Sequence, residues 1–180
     1  MKSKIFGIGL SRTGTTSLNN LLRSIGYNVI HYPLPIVMND FNNDGGTDIT
    51  VANRYKELDA MWPNSKFILT TRDRTQWLNS VVPYFERKRD WESTGKQVSW
   101  QVKERVAMYG STIPNRYEAA SAWDRHMHDV DQFFKRRPQD LLVVDMFAGD
   151  TPEALYNFLG KDPTGLPTKY PHDNKLNEKR

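Results

Sequence analysis

A loop bounded by glycines near the start of the chain constrains the fold more than any other feature of the sequence. The stretch GIGLSRTGTTSLNNLL, Gly7 to Leu22, follows an apolar run and leads into a helical pattern. Gly9 to Thr16 has the glycine spacing of a phosphate-binding loop, G-x-x-x-x-G-K-[ST], but Thr15 stands where the lysine is expected. A strand, a glycine loop and a helix in this order predict an α/β sheet that binds an anion where its first strand ends.

Hydrophobic patterning predicts the rest of that sheet. Continuous apolar runs suit strands that are buried on both faces of a parallel sheet, and such runs occur at 4–10, 27–32, 66–71 and 141–146. Helical periodicity predicts helices at Leu18–Ile25, Val51–Leu58, Leu78–Phe85, Trp123–Phe134 and Thr151–Leu159. Because strands alternate with helices, we expect one domain over residues 1–180. It is a three-layer α/β/α P-loop-like fold around a central parallel sheet of about four to five strands.

Proline and glycine set the expected breaks between elements. Pro63 is expected to end the second helix and Pro83 to kink or end the third, because proline has no N–H to donate. The NNDGG segment, residues 42–46, is expected to be flexible. The proline-rich end of the chain, about residues 161–180, is expected to be irregular.

The composition argues for a globular protein and against several functional classes. The chain has 180 residues, 38% of them hydrophobic and 26% charged, so it can bury a core. It contains no cysteine, which excludes disulfides, a thiolate nucleophile and a cysteine-based zinc site. No apolar run reaches the roughly 20 residues of a membrane-spanning helix, and the apolar part of the N-terminus is too short for a secretion signal. The net charge of +4 favours an anionic ligand, but interleaved acidic residues argue against nucleic acid, and we expect a cytoplasmic protein without a membrane span.

Three kinds of donor make the glycine loop a predicted anion site. Successive backbone N–H groups curl around an oxyanion, and a helix that starts near Thr15 directs its positive end towards it. Arg12 adds a fork of N–H donors. The hydroxyl groups on either side of Gly14 are those of Ser11, Thr13, Thr15, Thr16 and Ser17. The alternative interpretation is a Ser/Thr-rich turn that only caps the helix.

The segment GLSRTGTTSL resembles the 5′-phosphosulfate loop of sulfotransferases. These enzymes use 3′-phosphoadenosine 5′-phosphosulfate (PAPS) and release 3′,5′-ADP (PAP). The family commonly shows a basic residue, a small residue and then Gly-Thr-Thr or Gly-Thr-Ser. Many members have lysine where this chain has Arg12, and a subset have arginine. The resemblance implies that the residues from Ser11 to Ser17, including Arg12, bind the donor.

A second motif, KFILTTRDRTQWLNSVV, strengthens the resemblance. Arg72 ends a buried strand, and Ser80 lies eight positions later (80 − 72) inside the next helix. Sulfotransferases hold the 3′-phosphate of the donor with an arginine at a strand end and a serine at this spacing. A dianionic phosphate is well held by a fixed guanidinium and a converging hydroxyl. The alternative is that Arg72 pairs with a carboxylate and Ser80 faces solvent.

The resemblance covers nearly the whole chain at lower specificity, through MWPNSKFILTTRD and LLVVDMFAGDTPEALYNFLG. One segment departs from the family pattern. Many cytosolic sulfotransferases carry a late G-x-x-G-x-x-K segment that holds the 3′-phosphate, and GKDPTGLPTK lacks that spacing. We therefore assign no such role to Lys169 or Lys175.

The resemblance implies in-line transfer of a sulfuryl group to an acceptor hydroxyl or amine. Arg12 would neutralise the bridging oxygen as the bond breaks, so that no metal is required. The acceptor also needs a general base. His31, at the end of the second strand, is the first candidate because histidine accepts protons near neutral pH; Asp48 is the second and His126 the third. Each has a structural alternative, which is a backbone hydrogen bond for His31, a helix cap for Asp48 and core packing for His126.

Two other functions remain open from the sequence. A P-loop kinase of a nucleotide or metabolite is disfavoured, because Thr15 replaces the lysine and only Asp145, after LLVV, imitates a Walker B carboxylate. A non-catalytic nucleotide-binding module is compatible with the short middle region. Residues 33–48 and 87–117 are expected to form loops around the acceptor, which is a small molecule or a glycan.

Overall fold

The computed structural model describes residues 3–39, 42–88 and 99–172. These residues contain five β-strands and seven α-helices, together with 3₁₀ turns at Pro35–Asn39 and Pro138–Asp140. They divide into two compact units. The sheet unit comprises Met1–Arg72 and Arg137–Arg180, and the helical unit comprises Asp73–Arg136.

The helical unit contains α4, α5 and α6, and the sheet unit contains the other elements. None of the helices in the described ranges is both long and apolar enough to cross a membrane. The elements in chain order are β1 (Ile5–Gly7), α1 (Thr15–Ser24), β2 (Val29–His31), β3 (Gly45–Thr47), α2 (Ile49–Ala52), α3 (Tyr55–Met61), β4 (Lys66–Thr70), α4 (Arg74–Glu86), α5 (Ser99–Tyr109), α6 (Arg116–Phe134), β5 (Leu141–Val144) and α7 (Glu153–Phe158).

The five strands form one parallel sheet in the order β2-β3-β1-β4-β5. Gly7 of β1 lies opposite Thr47 of β3 on one side and opposite Ile68 of β4 on the other. The predicted α/β fold with a central parallel sheet is therefore confirmed. The four apolar runs correspond to β1, β2, β4 and β5.

Side chains of β1 alternate between two buried faces of the sheet. Ile5 belongs to a core cluster with residues from β2, β4, β5, α1 and α7, among them Leu18, Leu22, Val29, Ile68, Val144 and Leu155. On the opposite face, Phe6 packs against Phe67 with the ring centroids 5.5 Å apart. A Cβ at Gly7 would lie 2.9 Å from Leu18 Cδ2, so the absent side chain lets α1 pack closely on the sheet.

The strand order puts the loop after β1 where such sheets bind ligands. In the order β2-β3-β1-β4-β5, the connection from β1 leads to β2 at one end of the sheet. The connection from β3, the neighbour of β1, leads in the opposite direction, to β4 on the far side of β1. Right-handed crossovers in opposite directions put α1 and the α2–α3 pair on opposite faces of the sheet. A crevice opens beyond the carboxyl ends of neighbouring strands whose connections diverge in this way. Residues 8–14, which connect β1 to α1, lie at that edge.

The expectation that residues 42–46 are flexible is wrong for Gly45 and Gly46, because Gly45–Thr47 form β3 between β2 and β1. The three residues of this strand, GGT, carry no apolar pattern. Gly45 has a φ of 151°, and a Cβ there would overlap the carbonyl oxygen of Ile5. Glycine is needed because the neighbouring backbone leaves no room, and a hydrophobicity pattern does not reveal that constraint.

Helix α4 continues through Pro83 to Glu86 and is not ended there. The N–H of Arg87 still donates to the carbonyl of Pro83 at 3.2 Å, and Phe85 is buried. Burial of Phe85 in the last turn favours the helix despite the hydrogen bond that proline removes. The second predicted helix differs in another way, since it divides into α2 and α3.

Residues 87–117, which the sequence predicts as a loop, contain helix α5. Met108 and Tyr109 at its end are buried, and the ring centroids of Tyr109 and Phe85 lie 5.0 Å apart. The other two buried residues of α5, Glu104 and Arg105, are charged, so hydrophobic periodicity gives little signal and packing decides the structure. The parts of the two expected acceptor loops that lie outside the described residues are 40–41 and 89–98.

Helices α4 and α6 pack through an aromatic pair and an ion pair within the helical unit. The ring centroids of Trp77 and Trp123 lie 4.6 Å apart. Arg74 donates two hydrogen bonds to the carboxylate of Asp124, at 2.8 and 2.7 Å, and these bonds lower the pKa of Asp124. His126, the third base candidate, is buried on α6.

The described part of the proline-rich end, residues 161–172, forms turns and contains no helix or strand. The hydroxyl of Tyr156 on α7 donates to the carbonyl of Pro167 at 2.8 Å. Burial raises the pKa of the Tyr170 phenol, and the carboxylate of Asp150 adds to the effect. These contacts hold this stretch against α7 within the sheet unit.

Gly45→Ala should destabilise the sheet unit strongly. The added methyl group would overlap the carbonyl oxygen of Ile5 at a positive φ, and a misfit of this kind lowers the free energy of unfolding by about 2 kcal/mol or more. Gly26→Ala is the matched control, because Gly26 has a φ of 95° but no atom within 4 Å of the added Cβ. Urea unfolding measures both variants, and equal losses of stability would contradict the steric argument.

Candidate functional site

The carboxyl edge of the sheet gathers residues from distant parts of the sequence. The glycine loop follows β1, His31 ends β2, Asp48 follows β3 and Arg72 lies beyond β4. These segments share one edge because parallel strands all end on the same side of a sheet. Ser80 belongs to the helical unit, where it is buried on α4.

The glycine loop is fastened to β4 by Thr13. The hydroxyl of Thr13 donates to the carbonyl of Leu10 at 2.7 Å, and it also lies 2.7 Å from the hydroxyl of Thr70. Because Thr13 has only one hydroxyl proton, Thr70 is the donor in the second bond. The N–H of Thr13 also donates to the carbonyl of Leu10, at 3.2 Å. The hydroxyl and the N–H of Thr13 therefore both hold the shape of the loop.

Both glycines of the loop are required by close neighbours. A Cβ at Gly9 would overlap the hydroxyl oxygen of Thr70 and lie 2.7 Å from that of Thr13. A Cβ at Gly14 would overlap the sulfur of Met146 and lie 2.9 Å from its Cε. The two glycines of the G-x-x-x-x-G motif are thus each required by a close contact, Gly9 with the end of β4 and Gly14 with the turn after β5.

The start of α1 favours an anion over the capping interpretation. The residue at the cap position is Gly14, with a φ of 98°, so no side chain caps the helix there. Thr15 and Ser17 are buried on α1, at 4% and 5% exposure. The first turn, Thr15 to Leu18, contains no acidic residue that would neutralise the positive end of the helix.

Two hydroxyl groups connect the loop to the ends of β2 and β3. Thr16 Oγ1 lies 3.2 Å from His31 Nε2. The hydroxyl of Ser11 donates to Asp48 Oδ1 at 3.4 Å. The first two base candidates are therefore in direct contact with the predicted anion site.

The structure also brings those two candidates together. His31 Nε2 lies 3.3 Å from Asp48 Oδ2, and the two side chains are 30% and 14% exposed. The other ring nitrogen, Nδ1, lies 3.0 Å from the hydroxyl of Thr47. Asp48 Oδ1 accepts the N–H of Ile49 at 2.7 Å, so Asp48 caps α2 and contacts His31 at the same time. The sequence presented these two residues as alternatives, whereas the fold makes them a pair.

Strained backbone is concentrated at this edge. The described residues contain four non-glycine residues with positive φ, and three of them are Arg12 at 74°, Tyr32 at 54° and Asp48 at 86°. Such conformations cost about 1–3 kcal/mol each and persist where the surrounding structure holds them. Their clustering on three neighbouring strand ends supports a functional role for this edge.

Arg72 stacks on an aromatic ring that the sequence analysis did not identify. Its guanidinium carbon lies 4.1 Å from the ring centroid of Phe147. The N–H of Thr71 donates to the carbonyl of Val144 at 2.8 Å, which keeps the ends of β4 and β5 together. No local signal in the sequence points to this contact, because it depends on the adjacency of β4 and β5.

The turn after β5 is shaped by the side chain of Asp145. Its Oδ1 accepts the N–H groups of Phe147 and Ala148, both at 3.0 Å, while Asp150 accepts the N–H of Asp145 at 2.7 Å. This use in the turn accounts for Asp145 without a Walker B role. Among the residues that the structure describes, no group of three or more His, Asp or Glu side chains has a metal-binding arrangement.

Comparisons with known proteins agree with this fold. A family profile described as a sulfotransferase domain matches residues 4–44 and 37–179. A sulfotransferase from Alicyclobacillus acidocaldarius has 15% identity and a TM-score of 0.57, over 93% of this chain and 84% of that chain. Mouse sulfotransferase SULT7A1 complexed with PAP has 12% identity and a TM-score of 0.51, over 89% of this chain but only 59% of that chain. At these identities the two structures establish a shared fold, and no curated protein sequence matches this chain.

Thr13→Val should destabilise the protein by about 1–3 kcal/mol, because it leaves the hydroxyl of Thr70 without its acceptor and removes one of the two hydrogen bonds to the carbonyl of Leu10. Thr50→Val is the matched control. Thr50 is also fully buried, but its hydroxyl has no hydrogen-bond partner among the described residues, so the change should leave stability unchanged or raise it. Urea unfolding distinguishes the two, and a Thr13→Val variant as stable as the control would show that the loop does not depend on this hydroxyl.

Proposed function

We propose that this chain, which belongs to the sulfotransferase family, transfers a sulfuryl group from PAPS to a hydroxyl or amine of a small-molecule or glycan acceptor. One observation carries the proposal. Ser11 contacts Asp48 and Thr16 contacts His31, so the glycine loop and the His31–Asp48 pair are joined directly. Sulfuryl transfer needs an anion cradle and a proton acceptor within reach of each other. These contacts support the assignment of donor binding to the loop and proton removal to the pair.

The donor supplies an activated sulfuryl group whose leaving group is a phosphate. The fit of the loop to such an anion is supported by the start of α1, where Gly14 has a φ of 98° and no side chain caps the helix. In this proposal Thr13 acts through the shape of the loop. The donor-binding segment consists of Ser11, Arg12, Thr13, Gly14, Thr15, Thr16 and Ser17.

Arg12 is the residue we assign to the leaving group. A guanidinium on this loop can neutralise the charge that builds on the bridging oxygen as the bond to sulfur breaks. The support is its location within the loop and its positive φ of 74°, since strained backbone of this kind is concentrated at functional sites.

We assign removal of the acceptor proton to His31 with Asp48. The acceptor oxygen forms the new bond to sulfur while the bond from sulfur to the bridging oxygen breaks, and PAP leaves. The acceptor's proton passes to the pair. Because Nδ1 of His31 contacts Thr47, Nε2 is the nitrogen that faces the loop, and the carboxylate of Asp48 stabilises a positive charge on the ring.

We assign the 3′-phosphate of the donor to Arg72 and Ser80. The support for Arg72 is its position beyond β4, at the same edge as the glycine loop. Ser80 belongs to the other unit, so its joint action with Arg72 rests on the eight-residue spacing in the sequence.

Donor binding and sulfuryl transfer by the wild-type protein should both be measurable. Calorimetry is expected to show tighter binding of 3′,5′-ADP than of 5′-AMP or ATP, and ³⁵S-labelled PAPS should label a member of a panel of phenols, alcohols, sugars and peptides.

Substitution of Arg12 should affect transfer. Arg12→Ala should lower kcat by about 10²-fold or more, and Arg12→Lys should keep part of the activity. Arg23→Ala, at the other end of α1, is the control.

Two outcomes would contradict these assignments. A preference for ATP with magnesium would favour a kinase, and 3′,5′-ADP binding without transfer to any acceptor would favour a non-catalytic module. Near-normal kcat in Arg12→Ala would remove that residue from the mechanism.

His31 and Asp48 should behave as one unit in catalysis. We expect His31→Ala to lower kcat by about 10²–10⁴-fold, the usual contribution of a general base, with little change in 3′,5′-ADP binding. Asp48→Asn keeps an oxygen that can cap α2 but loses the charge, so it should also lower kcat. The double variant should lose less than the sum of the two effects on the activation free energy.

The matched control for the pair is Asp44→Asn. Asp44 precedes β3 at the opposite edge of the sheet and also accepts a backbone N–H, that of Asn28. Initial-rate measurements on all four variants decide the point. Fully additive losses from His31 and Asp48 would mean that the two residues act independently.

A further inference from the structure

We propose that Phe147 is a positioning residue that fixes the guanidinium plane of Arg72 for its contact with a phosphate. The inference rests on the proposed function, which assigns Arg72 to the 3′-phosphate of the donor. Phe147 lies outside both sequence motifs, 75 positions after Arg72 (147 − 72). It reaches Arg72 because β5 pairs with β4 in parallel register.

The guanidinium of Arg72 stacks on the ring of Phe147. The guanidinium carbon of Arg72 lies 4.1 Å from the ring centroid of Phe147, which is the distance of a direct cation–π contact. A guanidinium that lies against an aromatic ring keeps the N–H groups at its edge available for hydrogen bonds in its own plane. A ring below the arginine therefore selects the orientation of the donor fork before a phosphate binds, which reduces the ordering that binding requires.

Phe147 is not a residue of the hydrophobic core. The residue is 41% exposed, so its ring is not buried in the core, and its described ring contact is with the guanidinium of Arg72. Its backbone is nevertheless held firmly, since its N–H donates to Asp145 Oδ1 at 3.0 Å in a turn that Asp150 also fastens. A rigid turn that presents an exposed ring to an arginine fits a positioning role better than a packing role.

The turn that carries Phe147 also contacts the glycine loop, the other proposed anion-binding segment. Met146, the neighbour of Phe147, lies where a side chain at Gly14 would be, against the start of α1. Two adjacent side chains of one short turn therefore contact the two segments, Met146 at Gly14 of the glycine loop and Phe147 at Arg72. The chemistry that this arrangement recognises is a ligand with two separate phosphate groups, one at each contact.

The test is a calorimetric titration of the 180-residue chain with 3′,5′-ADP and with 5′-AMP, which differ by the 3′-phosphate. The measured quantity is the ratio of the two Kd values. Phe147→Leu keeps an apolar side chain but removes the ring, and it should lower the preference for 3′,5′-ADP by about three- to tenfold while leaving 5′-AMP binding unchanged. Phe147→Tyr keeps the ring and should retain the wild-type preference.

Two further variants separate positioning from general damage. In an Arg72→Ala background, Phe147→Leu should change neither Kd, because its effect passes through Arg72. Tyr27→Leu is the matched control, since it removes a ring that stacks with Lys161 at 4.7 Å but precedes β2 and so lies at the amino edge of the sheet. It should leave both Kd values at the wild-type level. Thermal unfolding of each variant confirms that the protein is folded during the titrations.

The possible results are distinguishable. If the wild type prefers 3′,5′-ADP and Phe147→Leu retains that preference in full, the positioning role is wrong and the proposed function stands. If Phe147→Leu weakens both nucleotides equally, or acts equally in the Arg72→Ala background, Phe147 does not work through Arg72 and the inference is overturned. If the wild type binds the two nucleotides equally, the donor assignment fails, and the positioning role fails with it.

Discussion

The hydroxyl contact between Thr13 and Thr70 is the interaction on which the candidate site depends. It ties the loop after β1 to the end of the neighbouring strand β4, across a position where only Gly9 fits. The loop is thereby bent so that α1 begins at Thr15, after the cap residue Gly14, with its N-terminus at the edge of the sheet. The same edge carries the ends of β2 and β3, where Ser11 and Thr16 of the loop segment contact Asp48 and His31.

Around that loop, single side chains serve two structural purposes. Asp48 caps α2 and contacts His31, and Asp145 shapes the turn that presents Phe147 to Arg72. Sharing of this kind holds a site rigidly because each group is fixed by more than one bond. It also explains how strained residues such as Arg12 persist at the edge, since the surrounding contacts hold them in place.

Sequence patterns predicted the elements that carry long apolar runs and missed those that do not. The four runs are strands of the sheet, and the pattern around Leu18 is α1. Strand β3 was missed because Gly45 is required by its closeness to Ile5 and not by hydrophobicity. Helix α5 was missed because two of its four buried residues, Glu104 and Arg105, are charged. Of the two expectations for Pro83, a kink or an end of the helix, the end is wrong, because α4 continues to Glu86.

The sequence by itself determined the strand, glycine loop and helix of the predicted anion site, since these are contiguous and their pattern is local. Only the tertiary structure decided which residues face that loop. His31 and Asp48 are 17 positions apart (48 − 31), and Arg72 and Phe147 are 75 apart (147 − 72). Each pair meets because parallel strands end at one edge of the sheet, with β2 beside β3 and β4 beside β5. Strand order results from packing of the whole chain, and no local pattern encodes it.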